Sequence, residues 1–270
     1  METLSITAPL THVPANYDAY LGPLLFEPFA QHLAQRAALL EPTAVLELAC
    51  GTGRLTRQLD RLLPATSTIT ATDVDVNMLR IATDQLGGRG LEWGRVDAQD
   101  LPYAAQQFDL VVAQFGVMHF SDRMEAYREA LRVLQPHGRM LFTCWDSIGN
   151  NPLGRITQEV IDRYLPQGTP ALNDDPYAYH DKALIREEVL LSGFSRVRMA
   201  PVSLIGHAES AAVAARGLLE GSPVLATIIE HDPLLLPVMR MELVARLTQR
   251  FGSQHLRVPL NAWVVEALER

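Results

Sequence analysis

The apolar residues of this chain follow two rhythms. Short unbroken apolar runs alternate with stretches in which leucine, isoleucine and alanine return at helical spacing. The first pattern predicts buried strands and the second amphipathic helices. Residues 1–14 read as irregular. From Tyr17 to about Leu40 the residues Leu21, Leu24, Leu25, Phe29, Leu33, Ala37 and Leu40 predict helix, closed by Glu41-Pro42. Strands are then predicted at 45–49, 68–72, 91–96, 110–113 and 139–144. Helices are predicted between them at 54–63, 77–86 and 123–134. Gly87-Gly88 stops the second of these helices. Asp122 with Glu125 has the spacing of a capping box before the third, and Pro136-His137-Gly138 ends it.

Strands and helices in strict alternation, with short links, imply a parallel sheet with helices on both faces. In such sheets ligands bind beyond the carboxyl ends of the strands. After Trp145 the rhythm changes. Helices are predicted at 153–165 and 181–191, and a strand at 196–205. Two or three helices across 208–251 are broken at Pro223, Pro233 and Pro237, and a last strand covers 256–265. No internal repeat or low-complexity tract interrupts the chain.

Composition narrows the function classes. A chain of 270 residues with 48% hydrophobic content can bury a sizeable core. It reads as a single α/β domain carrying extra helices. The net charge of -8 opposes a sequence-independent grip on nucleic acid, which needs a basic surface. The two cysteines, Cys50 and Cys144, make no disulfide framework and have no metal-ligand spacing. The expectation is no metal site. No signal peptide and no membrane-spanning run is read, so the cytoplasm is the expected compartment.

Chemistry concentrates at the predicted strand ends. Glu47-Leu48-Ala49-Cys50-Gly51-Thr52-Gly53 joins the first strand to its helix. Gly51 and Gly53 allow a tight turn and a close ligand approach. A dinucleotide fingerprint needs a third Gly or Ala where this chain has Thr56. A ligand without phosphate tolerates acidic neighbours, so Glu47 suits a cation or else caps local amides. Asp73, 22 residues after Gly51, stands where a carboxylate accepts both hydroxyls of a ribose. Asp97 with Ala98 stands where an acid accepts from an adenine amine, or caps the next turn. Beyond the fourth strand, Gln114-Phe115 leads to His119, which serves as a general base or packs without moving a proton. Asp109, at the strand start, reads as structural.

These pieces, in this order, resemble the class I S-adenosylmethionine-dependent methyltransferases, of the small-molecule type similar to quinone-biosynthesis methylases. The likeness runs from about Val45 to Trp145. The glycine turn resembles the family's first motif, Thr72-Asp73-Val74 through Met78-Leu79 its ribose motif, and Asp97-Ala98 its adenine motif. Residues 132–139 resemble the signature before strand five, with His137 in place of the first glycine of Pro-Gly-Gly. The resemblance implies a Rossmann-like, seven-stranded, mostly parallel sheet with an antiparallel edge strand and a helical lid. It implies one methyltransferase domain over 1–270, with cofactor-covering helices at 17–42, the cofactor core at 43–146, and acceptor-side helices at 147–195 and 207–253. S-adenosyl-L-methionine is the implied cofactor and a small molecule the implied acceptor. The implied cofactor contacts are Tyr20, Glu47, Ala49, Gly51, Gly53, Asp73, Val74, Met78, Asp97, Ala98, Gln114 and Phe115. His119 is the candidate base, with His180 behind it. Tyr20, Phe115 and Trp145 either turn a ring face to the sulfonium or simply pack. Two alternatives stay open: a non-catalytic module that binds the same cofactor, and a nicotinamide-dependent oxidoreductase.

Overall fold

The computed structural model describes residues 12–87, 90–166 and 176–268. Residues 1–11, Gly88 of the expected helix stop, and part of the acceptor-side stretch, 167–175, lie outside the described residues. Seven strands form one sheet: β1 Ala44–Leu48, β2 Thr68–Asp73, β3 Glu92–Arg95, β4 Phe108–Gln114, β5 Leu134–Trp145, β6 Arg196–Ser210 and β7 Gln254–Leu268. Their order is β3-β2-β1-β4-β5-β7-β6. The first five run parallel, and β7 runs antiparallel to β5. This is the Rossmann-like sheet with an antiparallel edge that the resemblance implied.

The chain divides into two compact units. One comprises Phe29–Ser147, Pro176–Ser203 and Asn261–Arg270, and the other Met1–Pro28, Ile148–Asp175 and Leu204–Leu260. In the first, strand alternation decides which helix covers which face. Leu46 and Leu48 of β1 and Val111 and Ala113 of β4 pack with helix α5 (Arg123–Val133) through Ala126, Tyr127, Ala130 and Val133. Helix α7 (Lys182–Leu191) adds Ile185 and Val189 to this cluster. Val45, Leu110 and Val112 point the other way. They meet helix α2 (Glu27–Ala38) through Ala30, Leu33, Ala34 and Ala37, and helix α3 (Arg54–Leu62) through Leu55 and Leu59. Helix α4 (Val76–Leu86) follows β2. Each buried leucine, isoleucine or valine among them contributes about 1.5–3 kcal/mol by leaving water, and each alanine methyl about 0.8 kcal/mol.

The second unit is mainly helical: α1 Val13–Asn16, a π-helical stretch Tyr17–Phe26, α6 Pro152–Tyr164, α8 Ala211–Glu220, α9 Val224–His231 and α10 Leu235–Phe251. The widened turn shows in the Glu27 N–H, which donates to the Gly22 carbonyl. Among the described residues no single helix is long and apolar enough to cross a membrane. Only α8 and α9 together reach that length and composition, and they meet at a 78° bend.

Several boundaries differ from expectation for identifiable reasons. Helix begins at Val13, before Pro14, because a first-turn proline loses no hydrogen bond. The same reason carries α10 through Pro237, in its first turn, where a break was expected. β5 begins at Leu134 and absorbs Pro136-His137-Gly138, which was expected to end α5. Leu134 pairs with Phe108 and Arg139 with Leu110, so the tripeptide sits in an irregularity of the ladder. His137 there takes φ 69, the left-handed conformation that a glycine adopts without strain. The capping box before α5 is only half made. Asp122 accepts the Glu125 N–H at 2.9 Å, but the Asp122 N–H donates to Gln99.

Candidate functional site

The carboxyl ends of β1, β2 and β3 are tied by backbone bonds, from the Cys50 N–H to the Thr72 carbonyl at 2.9 Å and from the Val96 N–H to the Asp73 carbonyl at 3.1 Å. Past β1, Ala49, Gly51 and Gly53 have φ values of 52, 56 and 81. This left-handed series folds the chain sharply before α3. A Cβ at Gly53 would lie 3.0 Å from Leu86 and 3.2 Å from Ala82, so helix α4 crowds a side chain at a position whose left-handed φ already favours glycine. At Gly51 a Cβ would meet nothing within 4 Å, so that face of the turn is open.

Asp73 joins the second strand end to this turn. Its Oδ2 accepts the Gly51 N–H at 2.8 Å and its Oδ1 accepts the Asp75 N–H at 2.9 Å. Burial raises its pKa, against the pull of the Asp75 and Gly51 amides. Beneath the turn, Glu47 is 1% exposed, and its Oε2 has no partner among the described residues. Burial pushes this carboxyl up to about 8; neighbouring Thr56 opposes the shift and Asp73 adds to it. Beneath the glycine turn the chain thus keeps a buried carboxyl that retains its proton at neutral pH, with one oxygen unused.

At the third strand end, Asp97 Oδ1 accepts both the backbone N–H and the side-chain amide of Gln99, each at 2.9 Å. These bonds hold the Asp97 carboxyl below the usual carboxylate range. The turn that Asp97 was expected to cap is therefore present, and it occupies one of the two oxygens. At the fourth strand end, Phe115 takes φ 52. Its N–H donates to the carbonyl and hydroxyl of Thr143. A Cβ on Gly116 would stand 2.5 Å from Ala49 Cβ, so the first and fourth strand ends touch.

Six of the expected residues, Ala49, Asp73, Val74, Asp97, Ala98 and His119, line one cleft of about 230 Å³. Thr72, which opens the ribose motif, completes it with Val96, Gln99, Phe120 and Ser121, which were not among the expected contacts. The other expected residues are not part of that lining. Glu47 is buried below it, and Gly51 and Gly53 form the turn above α3. Gln114 ends β4 and Met78 lies in the first turn of α4, both half-buried. Phe115 stacks on Trp145 with centroids 3.9 Å apart and planes at 12°, and Phe29 meets both rings edge-on. Each ring thus turns one face to the other. His180 is exposed, with Nδ1 2.7 Å from the Tyr177 carbonyl. Tyr20 belongs to the second unit, where the Arg216 guanidinium lies 5.0 Å from its ring centroid.

Comparison with known proteins gives the following. Residues 46–142 match the family described as Methyltransferase domain. Over 167 residues the chain is 30% identical to the ubiquinone/menaquinone biosynthesis C-methyltransferase UbiE of Pseudomonas aeruginosa. That alignment covers 57% of this chain and 65% of the relative, so the chain spans a little less than two thirds of the length of the relatives it matches. A solved SAM-dependent methyltransferase from Thermotoga maritima superposes with a TM-score of 0.58 at 14% identity, covering 98% of this chain and 100% of the other. The [4+2]-cyclase SpnF superposes with a TM-score of 0.59 at 17% identity, covering 96% and 93%. At such identities the likeness is one of fold, and this fold carries more than one reaction.

Proposed function

We propose, from the premise that residues 46–142 belong to the S-adenosylmethionine-dependent methyltransferase family, that this chain transfers the methyl group of S-adenosylmethionine to a small-molecule acceptor. The observation that carries the reading is the convergence of three strand ends, at Ala49, Asp73 and Asp97, on one cleft. The residues present suit that cofactor. The open face at Gly51 admits a ligand close to the backbone. Asp73 keeps lone pairs for two ribose hydroxyls beyond the two amides it already holds. Asp97 keeps Oδ2 for an exocyclic amine, and Val74, 60% exposed at the rim, gives a base an apolar surface.

The cofactor supplies an activated methyl group on a sulfonium. What remains for the chain is to hold the acceptor in line and exclude water. His119, at the cleft wall, takes the proton of a hydroxyl or carbon-acid acceptor; a phenolate or amine acceptor needs no such base. The relatives' name, C-methylation in ubiquinone and menaquinone biosynthesis, makes a quinol-type carbon acid the first acceptor to try. The cytoplasmic setting belongs to the same reading.

The test is incubation with methyl-labelled cofactor, a metabolite extract and a demethylated quinol. Label in a small organic-extractable product supports the reading. A chain that binds the cofactor yet labels nothing is a binding module. Binding of a nicotinamide nucleotide instead would return the oxidoreductase alternative.

A further inference from the structure

One side chain at the cleft ties together two loops that the sequence holds far apart. Gln99 uses both ends of its amide. Nε2 donates to Asp97 Oδ1 at 2.9 Å, while Oε1 accepts the Ser121 hydroxyl at 2.9 Å and the Asp122 N–H at 2.5 Å. The orientation of the amide is forced. The Asp122 N–H only donates, so it must meet the carbonyl oxygen, and the Asp97 carboxylate only accepts, so it must meet the NH2. Asp97, Gln99 and Ser121 all line the cleft, and His119 stands on the same loop as Ser121.

We propose that Gln99 is a positioning residue for base recognition. It engages Asp97 Oδ1 with two donors and leaves Oδ2 for the ligand. The recognised edge is then a donor, the exocyclic amine of an aminopurine. An oxopurine turns a carbonyl oxygen toward the same carboxylate and is rejected by lone-pair repulsion. The other end of Gln99 fixes the His119–Asp122 loop against that edge, so base recognition and the reacting end of the cleft share one staple. This inference rests on the proposed cofactor reading and adds to it the residue that sets its selectivity.

The test compares S-adenosylhomocysteine with its deaminated analogue, S-inosylhomocysteine, by calorimetric titration of the full chain. The wild type should favour the adenosyl form by about tenfold or more, the value of one well-made hydrogen bond to a charged acceptor. Gln99→Met, of similar length and without a side-chain donor, leaves only the backbone N–H on Asp97 Oδ1 and should lower that ratio by about threefold or more. Gln99→Glu keeps the acceptor for Ser121 and Asp122 but sets a second carboxylate oxygen against Asp97 in place of the donor, so it should lower the ratio at least as far as Gln99→Met does. In an Asp97→Ala background, Gln99→Met should leave the ratio unchanged. The proposal is overturned if Gln99→Glu and Gln99→Met keep the wild-type ratio, or if the double variant loses as much again as the single one. A wild type that binds both analogues equally overturns this proposal alone. One that binds neither overturns the cofactor reading with it.

Discussion

At the edge where the parallel strands begin, the carboxylate of Asp109 receives the amides of Thr43 and Ala44 and the hydroxyl of Thr43. At the edge where they end, Glu47 is buried with Oε2 unpartnered, and its neighbour Asp73 is raised by the same burial. Both edges use acids to hold loops. The first meets its acid's needs within the chain, while the second leaves acceptor capacity over. An acid held by three internal donors supports the fold. A buried acid that its own chain leaves unsatisfied lowers stability until something else supplies the missing partner.

Glu47→Gln tests that difference with the largest effect. The folded carboxyl titrates at about 8 against an ordinary value of 4.5, so the folded state retains the proton between these values. Its contribution is complete below about 4.5 and is lost as pH rises through about 8. A neutral glutamine escapes that loss. Thermal melting should therefore find Glu47→Gln more stable than the wild type at pH 9, by on the order of 4 kcal/mol, with the gap closing toward pH 5. A constant gap across that range would contradict the raised carboxyl.

Gly116→Ala asks whether the first and fourth strand ends must touch. The added methyl would stand 2.5 Å from Ala49 Cβ, which is fixed to the backbone. Overpacking of this kind costs about 2 kcal/mol in stability. Because Ala49 lines the cleft, affinity for S-adenosylhomocysteine should also fall about tenfold. Asp109→Ala should behave oppositely. Melting should show a loss of about 1–2 kcal/mol from the freed donors, with affinity for the nucleoside unchanged. The smallest effect is at His137, which holds a left-handed backbone at the strand-start edge. His137→Gly should gain about 0.5–1 kcal/mol, the relief of that strain less the entropy cost of glycine.

The sheet was legible because its signals are local. Apolar runs marked β1 and β4, helical spacing marked α2 and α3, and the glycine turn with Asp73 at 22 residues marked the cleft. What stayed hidden depends on contacts between distant residues or on backbone geometry without a residue signature. Gln99 reaches Ser121 across 22 positions, and Gly116 meets Ala49 only once β1 and β4 are paired. The tripeptide at His137 looks like a helix stop because proline and glycine usually are, yet pairing with β4 absorbs it. Pro237 misled for a related reason, since a proline marks a break only after the first helical turn.

The central claim is that these strand ends hold one nucleoside, with Asp73 on its ribose. Calorimetric titration of the wild type and of Asp73→Ala with S-adenosylhomocysteine tests it most directly. Loss of two charge-assisted hydrogen bonds should weaken binding about a hundredfold while the melting curve stays cooperative. Equal affinity in the two proteins, or no binding to a well-folded wild type, would contradict it.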